Sequence, residues 1–118
     1  MVGPKPGEKI LVFKEHWLNL ILKKQKKMEI RSRALKAGSY WLGNKGVIRG
    51  LAVFGEPVPI LDKDLWVALR SQHCVDTDEL PYKKTWGMPV LSARAVTHKK
   101  YKRLRGAVGI SLFRPPEE

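Results

Sequence analysis

The sequence predicts an α+β domain: a small mixed β-barrel of about six strands with two flanking helices. Two observations lead there. Short apolar runs recur between Gly- and Pro-containing turns, the pattern of many short strands. Only two stretches carry helical spacing, too few to alternate with the strands as a doubly wound sheet requires. The 118 residues suit one domain, and 43% hydrophobic residues with four Trp can fill one core.

The elements follow in order. Residues 1–9 and 115–118, rich in Pro, Gly and charge, are expected as flexible tails around a domain spanning 10–114. Ile10 to Phe13 reads as a buried strand. Glu15 to about Lys24 reads as a helix whose Trp17, Leu18, Leu20, Ile21 and Leu22 form a broad apolar arc. Met28 to Ser32 alternates as a strand. Ser39 to Leu42 is a further strand, from which one of Tyr40 and Trp41 is expected to point outward. Gly43-Asn44-Lys45-Gly46 signals a hairpin, and Val47 to Phe54 returns as a long strand with Gly50 at a bulge or close approach. Glu56 to Pro59 ends or kinks it. Asp62 caps a second helix reaching about His73, with Leu65, Trp66 and Leu69 inward. Residues 76–85 are a polar loop. Trp86 to Val96 is a strand that Pro89 assigns to an edge or bulge, residues 98–105 (HKKYKRLR) a basic connector, and Ala107 to Phe113 a last strand.

Charge narrows the function. Twenty-three Lys and Arg against eleven Asp and Glu give a net charge of +12, which favours polyanionic partners, nucleic acid first. A single cysteine, Cys74, excludes an internal disulfide and is expected as a core filler. No apolar run approaches the roughly 20 residues that span a bilayer, and no signal-peptide pattern opens the chain. An intracellular monomer is expected, cytoplasmic or nuclear, without a membrane partner. His16, His73 and His98 are scattered and no metal-ligand spacing occurs, so neither metal nor cofactor is expected. His73 is expected to be partly buried and bonded to a neighbouring strand.

The most informative stretch is residues 17–32. At a helix-to-strand junction, Lys27, Glu29 and Arg31 share one strand face, about 6–7 Å apart, while Met28 and Ile30 share the other. Lys26, Lys27 and Arg31 can pair with phosphate oxygens, and Glu29 can hold those cations or accept from a base amino group. Tyr82-Lys83-Lys84-Thr85-Trp86 mixes aromatics and cations as single-stranded nucleic acid requires. Trp17 and Tyr101 are further stacking candidates, and His98, Lys99, Lys100 and Lys102 form a candidate phosphate track.

Glu15-His16-Trp17-Leu18 followed by Lys24 to Ser32 resembles the ASCH domain, a branch of the PUA-like superfamily. Those domains open on a Trp-containing helix start and carry a pattern close to G-x-K-x-x-E-x-R-S. Lys26, Glu29, Arg31 and Ser32 stand on its characteristic positions, and Lys24 stands where the pattern has Gly. The resemblance implies a PUA-like barrel with a nucleic-acid-binding cleft holding Lys26, Glu29, Arg31 and Ser32. Arg33 belongs with the nucleic-acid-binding candidates, and Lys14, His16 and Trp17 are expected to line the cleft. PUA-like relatives hold single modified bases in aromatic pockets. Others in the group are N4-acetylcytidine amidohydrolases, which use a Lys, a Thr and a distant Glu, and a ribonuclease activity is also described. Lys26 matches that Lys, but Glu29 stands at the Thr position, so a binding module is the first expectation. A small hydrolase using Lys26 and Glu29 and a basic protein-interaction domain are the alternatives.

Overall fold

Among the described residues, parallel pairing occurs once, between β1 (Lys9–Val12) and β3 (Gly38–Asn44), and every other strand contact is antiparallel. The structure is a computed structural model describing residues 3–102 and 110–113. The described elements also include α1 (Glu15–Leu22), β2 (Met28–Arg31), β4 (Val47–Phe54) and β5 (Val58–Ile60). After them come α2 (Lys63–Ala68), α3 (Arg70–His73), β6 (Thr85–Lys100) and β7 (Ile110–Leu112). The sheet order is β2-β6-β4-β3-β1-β7, with β5 added beside β6. This is an α+β fold with a barrel-like mixed sheet.

The sequence-derived elements recur with four differences. Val58–Ile60, expected only as a kink, pairs with β6. The second helix breaks at Leu69 into α2 and α3. Strand β6 runs on through His98, Lys99 and Lys100, because Lys99 and Lys100 pair with Ile48 and Val47; these cations are strand rather than connector. Pro89 is not on an edge: β6 is bordered by β2 on one side and by β4, then β5, on the other. The bulge is real, since Phe54 pairs with Val90 while Val53 pairs with Ser92. The Pro89 carbonyl still accepts from Gly55 N at 2.9 Å. Of the last strand, residues 107–109 lie outside the described residues, as do Arg103, Arg105 and the tail 115–118. In the N-terminal stretch, Gly7 N–H donates to the Phe113 carbonyl at 2.9 Å.

Alternation sends Leu11, Tyr40, Leu42, Phe54 and Met88 into the main core, where Leu18 and Ile21 of α1 close over them. The opposite face of β1 and β3 is also covered. Ile10 and Trp41 pack there with Ile48, Tyr101 and Phe113. Tyr40 and Trp41 therefore point to opposite faces and are both buried, which corrects the expectation that one faces water. Tyr101 is likewise core rather than a stacking platform. A third cluster joins Met28 and Ile30 to Ile60 and Trp66. Each of these fully buried large side chains contributes roughly 1.5–3 kcal/mol.

Candidate nucleic-acid interface

Helix α1 and strand β2 meet through a turn that aims Lys26 inward. Lys24 takes a left-handed φ of 65°, its N–H donates to Ile21 O, and Gln25 N–H donates to Leu20 O. These two bonds make a Schellman motif with Lys24 at the position usually held by Gly. The helix so ends at Leu22, and the Lys26 backbone N–H also donates to Leu20 O at 3.0 Å. Lys26 is thereby turned under α1, only 2% exposed.

Beyond the turn, β2 pairs with β6 through Met28–Pro89 to Arg31–Trp86. Its Glu29 and Arg31 face a cavity of about 470 Å³, within the range of small-ligand sites. Val12, Phe13 and Lys14 form one wall, Trp17 and Lys26 the α1 side, and Val75, Pro81 and Tyr82 the loop side. Lys26 Nζ donates to the His73 carbonyl, lies 3.8 Å from Glu29 Oε1, and sits 4.8 Å from the Trp17 ring centroid. Arg31 Nε donates to Glu29 Oε2 at 2.7 Å and Nη2 donates to Val12 O at 3.0 Å. Its guanidinium lies 4.9 Å from the Phe13 ring centroid, a cation–π distance. Glu29 is so bracketed by two cations at the base of a cavity walled by three aromatic rings.

Burial holds the Lys26 ammonium below the usual lysine range, against the opposing attraction of Glu29. His73 supports Lys26 from behind. Its ring stacks on Trp66 at 3.8 Å, Nδ1 accepts from Val75 N–H at 2.9 Å, and Nε2 therefore donates to Trp66 O at 2.8 Å. Burial lowers its pKa. His73 is thus fully buried and bonded to helix and loop rather than to a strand. Cys74 is no core filler: it is half-buried and ends α3 with a left-handed φ of 61°.

The sequence-derived candidates divide. Lys14, Trp17, Lys26, Glu29, Arg31 and Tyr82 come together in the cavity. Lys27, Ser32 and Arg33 are exposed and line none of it. His16 stands outside, edge-on to Trp17 at 4.6 Å. Lys83 and Lys84 are exposed beside Tyr82, while Trp86 is half-buried against the main core. Exposed His98, Lys99 and Lys100, and half-buried Lys102, lie at or just past the far end of β6 and do not line the cavity. The expected exposed row on β2 is also corrected, because Glu29 is 5% exposed beneath its two cations. Sequence reasoning missed Val12, Phe13, Ile30, Val75 and Pro81. Phe13 and Val12 were legible as strand residues, but nothing local shows that β1 ends beside Arg31. Among the described residues no group of metal-ligating side chains occurs, and no helix is long and apolar enough to cross a membrane.

The fold is of the ASCH type. The solved structures that carry it include the ASCH protein of Zymomonas mobilis, at a TM-score of 0.74 and 13% identity, covering 92% of this chain and 88% of that one. Two variants of that protein match to a similar degree. A Tyr-to-Phe variant matches at 0.74 and 13% over 92% of this chain and 91% of the other. A Ser-to-Ala variant matches at 0.73 and 12% over 95% and 92%. At such identity the likeness concerns the fold alone. No family model and no curated protein matches the sequence.

Proposed function

We propose that this protein is a nucleic-acid-binding module that takes one nucleotide of a single strand, or one flipped base, into the Lys26–Glu29–Arg31 cavity. One observation carries the reading: a buried carboxylate clamped by two cations lies in a cavity whose walls include Phe13, Trp17 and Tyr82. The rings offer stacking faces, worth roughly 1–3 kcal/mol per base. Glu29 can accept from an exocyclic amino group, as carboxylates do from cytosine N4. Arg31 keeps Nη1 outside both of its hydrogen bonds, and Lys14 stands exposed at the wall, so both are suited to phosphate. Cytosine or adenine is therefore favoured over uracil.

The test is a binding panel of single- and double-stranded RNA and DNA at two ionic strengths, with wild type and Tyr82→Ala. Tyr82 is partly exposed, so its removal leaves the core intact. Expected are tighter binding of single strands than of duplexes and about tenfold weaker binding by Tyr82→Ala. Equal affinity in that variant, or a preference for duplex, contradicts the reading.

A hydrolytic second reading has one observation in its favour: the Lys26 amine is held below its usual pKa beside Glu29 inside the cavity. Among the described residues no Ser or Thr lines that cavity to serve as an acyl-transfer hydroxyl. Cytidine released from acetylcytidine by wild type and not by Lys26→Ala would place hydrolysis first.

A further inference from the structure

Three segments distant in sequence meet beside the cavity and carry exposed lysines, of which only Lys14 belongs to its lining. Asn44 Nδ2 donates to the Phe13 carbonyl at 2.8 Å, and Phe13 N–H donates to Gly43 O at 2.8 Å. The β3–β4 hairpin tip is thereby held against the wall that bears Lys14. On the tip's other side, Tyr101 N–H donates to Gly46 O at 2.9 Å, which brings the end of β6 alongside. Lys14, Lys45 and Lys100 are all exposed and follow one another across these two junctions. Strand register gives the scale. Val12 pairs with Gly43, Gly43 with Ile48 and Ile48 with Lys99, so three strand spacings, about 15 Å, separate the cavity wall from the end of β6.

We infer that Lys14, Lys45 and Lys100 form a phosphate track leading out of the cavity across the hairpin tip, and that its occupant is the backbone of the strand whose nucleotide the cavity holds. The inference rests on that reading of the cavity. Two further observations support it. No Asp or Glu occurs between residues 30 and 55 or between 80 and 116, so β3, β4 and β6 bring no carboxylate of their own to neutralise these lysines. The carboxylate of Glu15, next to Lys14, is taken up by Arg49 at 3.2 Å. Lys45 also holds φ of 50° at the first turn position of a two-residue hairpin, where Asn, Asp or Gly is unstrained. A long cation is placed there against backbone preference. An anionic membrane fits less well, because none of these segments adds an exposed large apolar side chain for insertion.

The test compares wild type, Tyr82→Ala and the double variant Lys45→Asn with Lys100→Thr. Asn suits the left-handed turn and Thr suits an exposed strand, so the double variant removes charge without threatening the fold. The ligands are cytidine monophosphate and a single strand of about 12 nucleotides, within the site sizes of single-strand binders. The double variant should bind the mononucleotide as wild type does. For the longer strand, its log–log salt dependence should be shallower by about 1.4, at about 0.7 per lost phosphate contact. If both slope and affinity stay at wild-type values while Tyr82→Ala weakens both ligands, the track is wrong and the cavity reading stands. If wild type retains neither ligand, the cavity reading falls and the track with it. Retention of wild type on vesicles with anionic lipid in preference to the longer strand overturns the track in favour of a membrane.

Discussion

Lys24 holds its left-handed φ of 65° with both Schellman bonds intact, so the turn forms despite the Cβ penalty. Lys24→Gly removes that penalty and should stabilise the fold by about 1 kcal/mol, read as a higher urea midpoint at unchanged m-value. A tight turn was legible from the Gly that the ASCH pattern has at that position; that a lysine takes the αL geometry there was not. What was not legible is the fate of Lys26 two residues on, which the sequence offers as a surface cation. The left-handed turn redirects it inward, onto His73 O and toward Glu29. Burial lowers its pKa in the folded state, so between that folded value and 10.5 the unfolded chain binds more protons than the folded one. The stability associated with Lys26 therefore rises with pH through that window and is lost as pH falls back through it. Urea titrations near neutrality and near pH 10 should show wild type gaining on Lys26→Met as pH rises. A constant difference between the two would refute a buried, desolvated Lys26.

At the scale of elements, the site depends on how α1 sits on β4. A Cβ on Gly50 would lie 2.7 Å from Leu22 Cδ2 and 3.0 Å from the Arg94 carbonyl. Gly50→Ala should therefore destabilise by roughly 1–3 kcal/mol, since the backbone carbonyl has little room to give. Thermal unfolding checks it, and an unchanged midpoint would mean that α1 packs more loosely. Gly50 was readable as a bulge or close approach, and it is both, since the β4–β6 register shifts between Ile48 and Gly50. The hairpin at Lys45-Gly46 and the Asp62 cap, which accepts from Leu65 N at 2.8 Å, were also local signals and could be read directly. Strand β5 could not. Two prolines interrupt its apolar pattern, and it exists because β6 offers Thr85 to Gly87 as a partner. The burial of both Tyr40 and Trp41 was equally hidden, because local alternation does not show that both faces of β3 are covered.

Taken whole, the molecule brings some of its positive charge into two neighbouring groups that local sequence merges or scatters. One is the cavity set of Lys14, Lys26 and Arg31 around Glu29, and the other crosses the hairpin tip to the end of β6. The run around His98 to Lys102 was visible as charge, yet its place relative to the cavity follows only from strand register. Fewer cations line the cavity than the composition suggests, so binding of a mononucleotide should depend weakly on salt and binding of a longer strand strongly. Isothermal titration at two ionic strengths checks this, and equal salt dependence of the two ligands would contradict it. The central claim is that a nucleotide enters the cavity against Trp17, and Trp fluorescence during titration with cytidine monophosphate tests it most directly. Trp41 and Trp66 are buried and Trp86 does not line the cavity, so Trp17 is the reporter there. The account predicts saturable quenching in wild type that disappears in Trp17→Phe. The same quenching in both proteins, or no saturable change in wild type, would contradict it.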